Sequence, residues 1–358
     1  MIGWQRLPNG IKGLSERIEA MGIKFGLWFE PEMTNKDSDL YRAHPDWILH
    51  TPGRNASHGR YQYVLDFSRK EVVEYIYEMM AKILSEAKVS YIKWDMNRSI
   101  TECYSVALPA DRQGEVFHRY ILGVYDLYER LTSEFPEVLF ESCSSGGGRF
   151  DPGMLYYAPQ GWTSDDSDAI ERLKIQYGTS LCYPISSMGS HVSVIPNHQV
   201  FRKTPLHTIA NVAYFGTFGY ELDLNSLKEE EIAEVKEQII FMKKYRKLFQ
   251  FGDFYRLKSP FEGNETIWMV VSEDKKTAIV GYYRTLNGVN QAYSRIKLQG
   301  LDPDMLYENI LNKTENYGDE LMNFGLITTD VTAGEVPGDA TPCTDFESRI
   351  YILKAKEK

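Results

Sequence analysis

The first 250 residues alternate between continuous apolar runs and amphipathic stretches, in the order helix, strand, helix, strand. Apolar residues recur at helical spacing from Ile11 to Met21, Gly22 interrupts this spacing, and residues 23–29 form a continuous apolar run. The same pattern predicts further strands at 89–95, 138–143, 161–165, 187–194 and 215–224, and helices at 72–83, 117–131, 169–177 and 232–245. Strands that alternate with helices indicate a parallel sheet covered by helices.

The pattern changes after about residue 251. Beyond this point it predicts short strands at 266–271, 277–284, 294–298 and 349–353. Asn287-Gly288 is a strong signal for a two-residue hairpin turn. The tail therefore predicts an antiparallel sheet domain. In the first part, Ser68 and Glu71 have the spacing of a capping box at the start of a helix.

Polar side chains follow the predicted strand at 89–95. Because side chains alternate between the two faces of a strand, Lys93, Asp95 and Asn97 share one face. A second acidic stretch, 161–168, contains Asp165 at the end of a later strand. Polar groups at several strand ends favour a barrel over an open sheet, since a barrel gathers its strand ends at one rim.

Six strand-plus-helix units can be distinguished before residue 250, whereas a closed barrel of this type has eight. The predicted fold class is therefore α/β, with a partial (β/α)8 TIM barrel of about six of its eight units in residues 1–250. A small antiparallel β-sandwich domain is predicted in residues 251–358. Because an incomplete barrel exposes strand edges, we expect the isolated chain to be oligomeric or poorly soluble, and weakly active or inactive.

Two carboxylates delivered by two strands of one sheet indicate glycoside hydrolysis. Lys93 places positive charge on the face that carries Asp95, which favours an ionised Asp95 as nucleophile. Asp166 and Asp168 adjoin Asp165, and neighbouring like charges suit a protonated general acid. The alternative is a structural ion pair together with a helix cap. The spacing leaves open whether the reaction retains or inverts configuration.

Composition narrows the class of ligand. A net charge of −10 argues against nucleic acid, and no apolar run has the length of a membrane span. The four cysteines (Cys103, Cys143, Cys182 and Cys343) have neither metal-ligand spacing nor a disulfide pattern, which predicts reduced thiols in a cytoplasmic protein. No metal and no cofactor is predicted. A neutral small molecule fits this composition.

Four stretches carry a specific resemblance to a known family. They are Lys93-Trp94-Asp95-Met96-Asn97-Arg98, Phe140-Glu141-Ser142-Cys143, Gly146-Gly147-Gly148-Arg149-Phe150-Asp151 and Trp162-Thr163-Ser164-Asp165. With residues 25–33 and 218–223, they resemble the bacterial α-galactosidases (melibiases) of glycoside hydrolase family 36 over nearly the whole chain. The resemblance implies a retaining double displacement on terminal α-1,6-linked galactosides such as melibiose and raffinose.

The resemblance also implies roles for individual residues. Asp95 would be the nucleophile and Asp165 the general acid/base. The galactose subsite would be lined by Trp28, Arg60, Lys93, Asn97, Cys143, Ser145, Gly146 and Trp162. From the residue types alone, the two tryptophans are either sugar platforms or core aromatics. Likewise, Arg60 is a substrate clamp or a solvated loop residue, and Cys143 a substrate contact or a small buried hydrophobe.

The chain departs from the family pattern in two ways. Asp166 stands where the family more often has asparagine, and the family's chains are much longer. Their additional part carries a β-sandwich and two opening barrel strands, one of which brings an Asp pair that grips galactose. The chain thus resembles the carboxy-terminal half of such an enzyme, which we expect to be a homo-oligomer at full length. Two alternatives stay open: a non-catalytic galactoside-binding or assembly fragment, and an α-galactosyltransferase related to the raffinose and stachyose synthases.

Overall fold

A computed structural model describes residues 7–288, 294–328 and 345–356. The chain separates into two compact units, Met1–Trp162 and Thr163–Lys358. Each unit contains a hydrophobic core of its own. The first unit is α/β, and the second combines a smaller α/β part with a β-rich carboxy-terminal part.

The first unit is built on a parallel sheet whose strands lie in the order β1-β4-β5-β6. A short antiparallel pair, β2 and β3, lies within the connection between β1 and the next long helix. The elements are α1 (Gly10–Ala20), β1 (Phe25–Phe29), β2 (Met33–Thr34), α2 (Asp39–Ala43), β3 (Tyr63–Val64), α3 (Lys70–Glu86), β4 (Val89–Asp95), α4 (Val116–Glu134), β5 (Leu139–Cys143), α5 (Pro152–Tyr157) and β6 (Gln160–Gly161).

The core of the first unit lies between this sheet and the helices α3 and α4. Each of these helices buries one apolar stripe, and β4 buries Ile92 and Trp94. The Trp94 ring stacks on Tyr128 of α4 with 4.0 Å between the ring centroids. This packing fixes the strand whose last residue is Asp95.

The second unit begins with alternating helices and parallel strands and ends in antiparallel strands. β7 and β8 pair in parallel. Its elements are α6 (Ala169–Ser180), β7 (Gly189–Ser193), α7 (Leu206–Ala213), β8 (Thr217–Glu221), α8 (Glu229–Phe251), β9 (Asp253–Lys258), β10 (Glu265–Val271), β11 (Thr277–Arg284), β12 (Arg295–Ile296), β13 (Leu306–Asn309), β14 (Glu315–Tyr317), α9 (Gly318–Asn323), β15 (Leu326–Ile327) and β16 (Glu347–Ala355).

The β-rich part consists of a six-stranded antiparallel sheet and a two-stranded one. The large sheet has the order β14-β13-β16-β11-β10-β9, and β12 pairs with β15. Met269, on one face of β10, packs in a core that includes Leu298 and Leu326. On the alternate position, Trp268 packs edge-on against Phe215, with 5.5 Å between the centroids. Both faces of β10 are therefore buried.

One local prediction is wrong, and another falls partly outside the described residues. The helix α3 takes Arg69 as its N-terminal capping residue, without a side-chain cap, because the Ser68 hydroxyl donates to Asp66 instead. The hairpin predicted at Asn287-Gly288 would continue into residues 289–293, which lie outside the described residues. In the described part, β11 lies between β10 and β16, and β12 pairs with β15.

Candidate active site

Asp95 ends the strand β4 between the ends of β1 and β5. Its side chain is 7% exposed, and its Oδ2 accepts hydrogen bonds from Trp28 Nε1 at 3.2 Å and from Asn97 Nδ2 at 2.8 Å. Its Oδ1 is also buried, and no nitrogen or oxygen donor of the described residues reaches it. Two donors thus hold Oδ2 in place, and the Cys143 thiol also contacts the Asp95 carboxylate.

Asn97 links Asp95 to a second carboxylate at the end of β1. Asn97 Nδ2 also donates to Glu30 Oε1 at 2.6 Å, and Asn97 Oδ1 accepts from Ser145 Oγ at 3.3 Å. Arg60 Nη1 lies 3.4 Å from Glu30 Oε1, in an ion pair whose arginine is largely exposed. The structure therefore brings Trp28 and Asn97 into contact with Asp95, and Ser145 and Arg60 into contact with Asn97 and Glu30.

Lys93 lies two residues before Asp95 on the same strand and forms an ion pair with the buried carboxylate of Glu141. Its Nζ lies 3.5 Å from Glu141 Oε1 and 5.0 Å from the centroid of the Trp162 ring. Glu141 Oε2 also accepts from Tyr91 OH and, at 3.3 Å, from Gln160 Nε2. Burial, and then the nearby Glu141 carboxylate, raise the pKa of Tyr91 and keep that phenol protonated. These contacts hold the Lys93 ammonium at the strand end.

The turn after β5 supplies Ser145 and Gly146. Both residues have positive φ, +46° for Ser145 and +79° for Gly146, and Ser144 Oγ donates to the Met96 carbonyl at 3.0 Å. Glycine adopts this left-handed region readily, whereas a serine in it needs support from its surroundings. The hydrogen bonds of Ser144 and Ser145 to the segment after β4 provide that support.

Trp28 and Trp162 differ in exposure. The Trp28 side chain is 50% exposed while its Nε1 contacts Asp95, so one part of the ring remains open to a ligand. Trp162 is buried, and its backbone N–H donates to the Ser142 carbonyl at 2.9 Å. A platform role therefore agrees better with the exposure of Trp28 than with that of Trp162.

Cys143 is buried at the end of β5, which agrees with its interpretation as a small hydrophobe. Burial, followed by the nearby Asp95 carboxylate, raises the pKa of the Cys143 thiol to about 12. We expect iodoacetamide at pH 8 to alkylate Cys143 at least about a hundredfold more slowly than the exposed Cys182, because the thiolate is the reacting form. Peptide mass spectrometry over a time course measures both rates. Equal rates in the folded protein would contradict this pKa.

Glu32 is a functional candidate that the sequence reasoning did not single out. It is 0% exposed, and its two oxygens accept four hydrogen bonds from three side chains. The donors are Trp94 Nε1 at 2.8 Å, Tyr120 OH at 2.6 Å, and the two terminal nitrogens of Arg149 at 2.8 and 3.0 Å. Burial opposes the charge of Arg149, but the attraction to Glu32 raises the pKa of that guanidinium. The sequence signal that could have identified Glu32 is the motif Glu30-Pro31-Glu32 directly after an apolar strand.

Asp165 lies in the second unit, four residues after β6, and is exposed. The two neighbouring carboxylates have structural roles. Asp166 Oδ1 accepts from the backbone N–H of Asp168 at 2.9 Å. Asp168 is the buried N-terminal cap of α6, accepts from two backbone N–H groups and pairs with Arg202. The helix-cap interpretation is therefore right for Asp168, and Asp165 is the carboxylate of this stretch that faces solvent.

Among the described ranges, no group of three or more His, Cys, Asp or Glu side chains could hold a metal ion. No helix in the described part of the chain is both long enough and apolar enough to cross a membrane. His191, in the middle of β7, lies 3.3 Å from Glu221 through its Nδ1.

Comparisons with known proteins agree on one family. The family model described as Melibiase matches residues 1–252, and the Glycosyl hydrolase family 36 C-terminal domain matches residues 265–353. The chain is 55% identical over 360 residues to alpha-galactosidase AgaA from Geobacillus stearothermophilus, covering 100% of this chain and 48% of AgaA. It is 48% identical over 351 residues to alpha-galactosidase Mel36A from Lactobacillus acidophilus, covering 98% and 46%.

The structure of the chain is also similar to solved structures of the same family. The crystal structure of AgaA matches with a TM-score of 0.93 and 52% identity, covering 99% of this chain and 48% of that one. Variants of AgaA have been solved in complex with raffinose and with stachyose. The chain spans about half the length of the relatives it matches.

Proposed function

The chain belongs to glycoside hydrolase family 36, and from this membership we propose that it hydrolyses terminal α-galactosides by a retaining double displacement. One observation carries the proposal. The Asp95 carboxylate is buried and oriented through Oδ2, while Oδ1 receives no nitrogen or oxygen donor. A carboxylate that Trp28 and Asn97 hold at the end of a parallel strand suits a nucleophile that attacks the anomeric carbon of a bound galactoside.

In this proposal the reaction proceeds in two displacements. A carboxylate oxygen of Asp95 attacks the anomeric carbon, the bond to the leaving-group oxygen breaks, and that oxygen takes a proton from Asp165. Asp165, now a carboxylate, then accepts a proton from water as the water displaces Asp95. The exposure of Asp165 supports this role, since a residue that exchanges protons with leaving groups and water must be accessible. Asp166 and Asp168 are occupied by backbone contacts.

We propose that the galactose binds over Trp28 and beside Lys93, Asn97, Cys143, Ser145, Gly146, Arg60 and Trp162. The half-exposed indole of Trp28 suits stacking on the apolar face of the sugar. The hydroxyl of Ser145 and the ammonium of Lys93 lie at the same strand ends as Asp95 and suit hydrogen bonds to sugar hydroxyls. The complexes of the AgaA variants with raffinose and stachyose support α-galactosides as the substrate class.

The sugar preference tests this function. Even at the low activity expected of the isolated chain, its kcat/KM for nitrophenyl α-galactoside should exceed that for the α-glucoside by about a hundredfold or more. The reason is that hydrogen bonds placed for the galactose hydroxyls are left unmade by the epimer. Chromogenic assays give both values, and proton NMR of the first product should detect the α-anomer of galactose. Equal rates on the two sugars, or the β-anomer first, would contradict the proposal.

We further propose that β1, β4, β5, β6, β7 and β8 belong to one incomplete (β/α)8 barrel, with a domain boundary near residue 250. The parallel pairing of β1-β4-β5-β6 and of β7-β8 supports the barrel. The first family model ends at residue 252 and the second begins at residue 265, which supports the boundary and a separate β-sandwich after it. A cytoplasmic location and a homo-oligomer stay predictions. Cys103, Cys143 and Cys182 are free thiols, as a reducing compartment keeps them.

A further inference from the structure

The segment between β2 and β3 contains a tight turn at Gly59–Gln62. The backbone N–H of Gly59 donates to the Gln62 carbonyl at 3.3 Å, and the reverse bond measures 2.9 Å. Arg60 and Tyr61 occupy the two corners with φ of +53° and +61°. Positive φ at both corners is typical of a type I′ turn, which favours Asn-Gly. Two large side chains in this conformation are costly, and such strain concentrates at functional sites.

Contacts on both sides hold this turn against the strand ends of the candidate site. Gln62 Nε2 donates to Glu30 Oε2 at 2.7 Å, and Arg60 pairs with the other oxygen of Glu30. Arg98, three residues after Asp95, donates from Nη2 to the Ser57 carbonyl at 3.2 Å. A Cβ atom on Gly59 would lie 2.9 Å from Arg98 Nη1, so the end of this flexible side chain packs closely against the turn.

The turn presents an aromatic surface beside a cavity. Tyr61 is 82% exposed and stacks on His58, with 5.9 Å between the centroids and 13° between the planes. The cavity has a volume of about 410 Å³, within the range of small-molecule sites. It is lined by Asn35, Lys36, Asp37, His58, Tyr61 and Tyr63.

We propose that this cavity is a subsite for the sugar units of the substrate that lie beyond the terminal galactose. The proposal rests on the α-galactosidase function proposed above. An exposed aromatic ring suits stacking on a sugar ring, and amide, ammonium and carboxylate groups suit its hydroxyls. Lys36 and Asp37 bring opposite charges, so the lining favours a neutral sugar over an ion.

The position of the turn fits a subsite next to the reacting centre. Asp95, Asn97, Glu30 and Arg60 form a continuous chain of contacts of 2.8, 2.6 and 3.4 Å. Tyr61 follows Arg60 directly. The cavity therefore adjoins, through Arg60, the residues that hold Asp95. The sugar units beyond the terminal galactose of raffinose are glucose and fructose.

The test replaces Tyr61 with asparagine, a residue that accepts positive φ and so removes the ring without adding strain. For Tyr61→Asn we expect the KM for raffinose to rise about three- to tenfold, which corresponds to the loss of one aromatic contact. The KM and kcat for methyl α-galactoside, which has no further sugar, should stay within about twofold. Tyr61→Phe keeps the ring and should behave as the unmodified protein. Release of galactose measures each reaction.

Tyr156→Ala is the matched control, because Tyr156 is an equally exposed tyrosine on α5, away from the turn. It should change neither substrate. An equal loss on raffinose and methyl α-galactoside in Tyr61→Asn, or no loss on either, overturns the subsite. Cleavage of α-galactosides and α-glucosides at equal rates contradicts the proposed function instead, whereas absence of turnover agrees with the low activity expected of the isolated chain. Binding of sucrose, followed by saturation-transfer NMR, then decides the subsite by itself: Tyr61→Asn should abolish it, and no binding to the unmodified protein overturns the proposal.

Discussion

Replacing Asp95 with asparagine is expected to lower kcat for nitrophenyl α-galactoside by about 10⁴-fold or more, as removal of a covalent nucleophile does in other enzymes. The amide oxygen can take the place of Oδ2 and accept from Trp28 and Asn97, so the site should keep its shape. The amide nitrogen would then replace Oδ1, and an amide is too weak a nucleophile to attack the anomeric carbon. Initial rates measure the loss, and intact-protein mass spectrometry should detect no galactosyl adduct.

Asp165→Ala provides the contrast for this result. The loss of a general acid should lower kcat/KM for raffinose by about 10²- to 10⁴-fold, while nitrophenyl α-galactoside, whose leaving group needs little protonation, should be affected far less. Azide should restore turnover in Asp165→Ala and yield the α-galactosyl azide, since azide attacks the galactosyl-enzyme without a general base. Asp95→Asn with rates within tenfold of the unmodified protein would contradict the nucleophile assignment.

The part of the site that could be predicted from the sequence follows from local geometry. Alternation along one strand places Lys93, Asp95 and Asn97 on one face, and the observed contact of Asn97 with Asp95 Oδ2 agrees with it. The strand–helix alternation that predicts a parallel sheet also depends on spacing within one short segment. Trp28, on the neighbouring strand, was identified through the family resemblance, because no spacing rule pairs residues of different strands.

The contacts that the sequence could not predict join distant segments. Glu32 accepts from residues 62, 88 and 117 positions further along the chain, and no local pattern encodes such partners. The capping box at Ser68 was wrong for the same reason. The competing acceptor, Asp66, is itself buried and bonded to Ser105, which lies on a different segment. Tertiary contacts outweighed a local preference in both cases.

The same buried carboxylate gives the largest effect that we expect on stability. Glu32→Gln should lower the free energy of unfolding by about 3–5 kcal/mol, the typical cost of removing one partner of a buried ion pair. Each oxygen of Glu32 accepts two hydrogen bonds, one of them from Arg149. In glutamine one of these oxygens becomes an NH₂ group that faces two donors, and the guanidinium of Arg149 loses its countercharge. Urea denaturation followed by tryptophan fluorescence measures the loss.

Glu74→Gln is the matched control for this prediction. Glu74 also binds an arginine through both oxygens, at 3.0 and 2.9 Å from Arg130, but its side chain is exposed. Water can solvate both members of that pair after the substitution, so its loss of stability should be a small fraction of that in Glu32→Gln. Equal losses in the two variants would mean that burial does not decide the effect.

A double substitution separates the charge from the packing. If the unpaired guanidinium dominates the loss in Glu32→Gln, Arg149→Met in the same chain should recover part of the stability, because it removes the buried charge. The recovery should extend to catalysis only in part. Trp94 directly precedes Asp95, and Arg149 follows the turn that carries Ser145 and Gly146. In the unmodified protein, the contacts of Glu32 with Trp94 and Arg149 join these two segments. The double variant lacks the contacts to Arg149, so its kcat should stay below that of the unmodified protein even where the free energy of unfolding is restored.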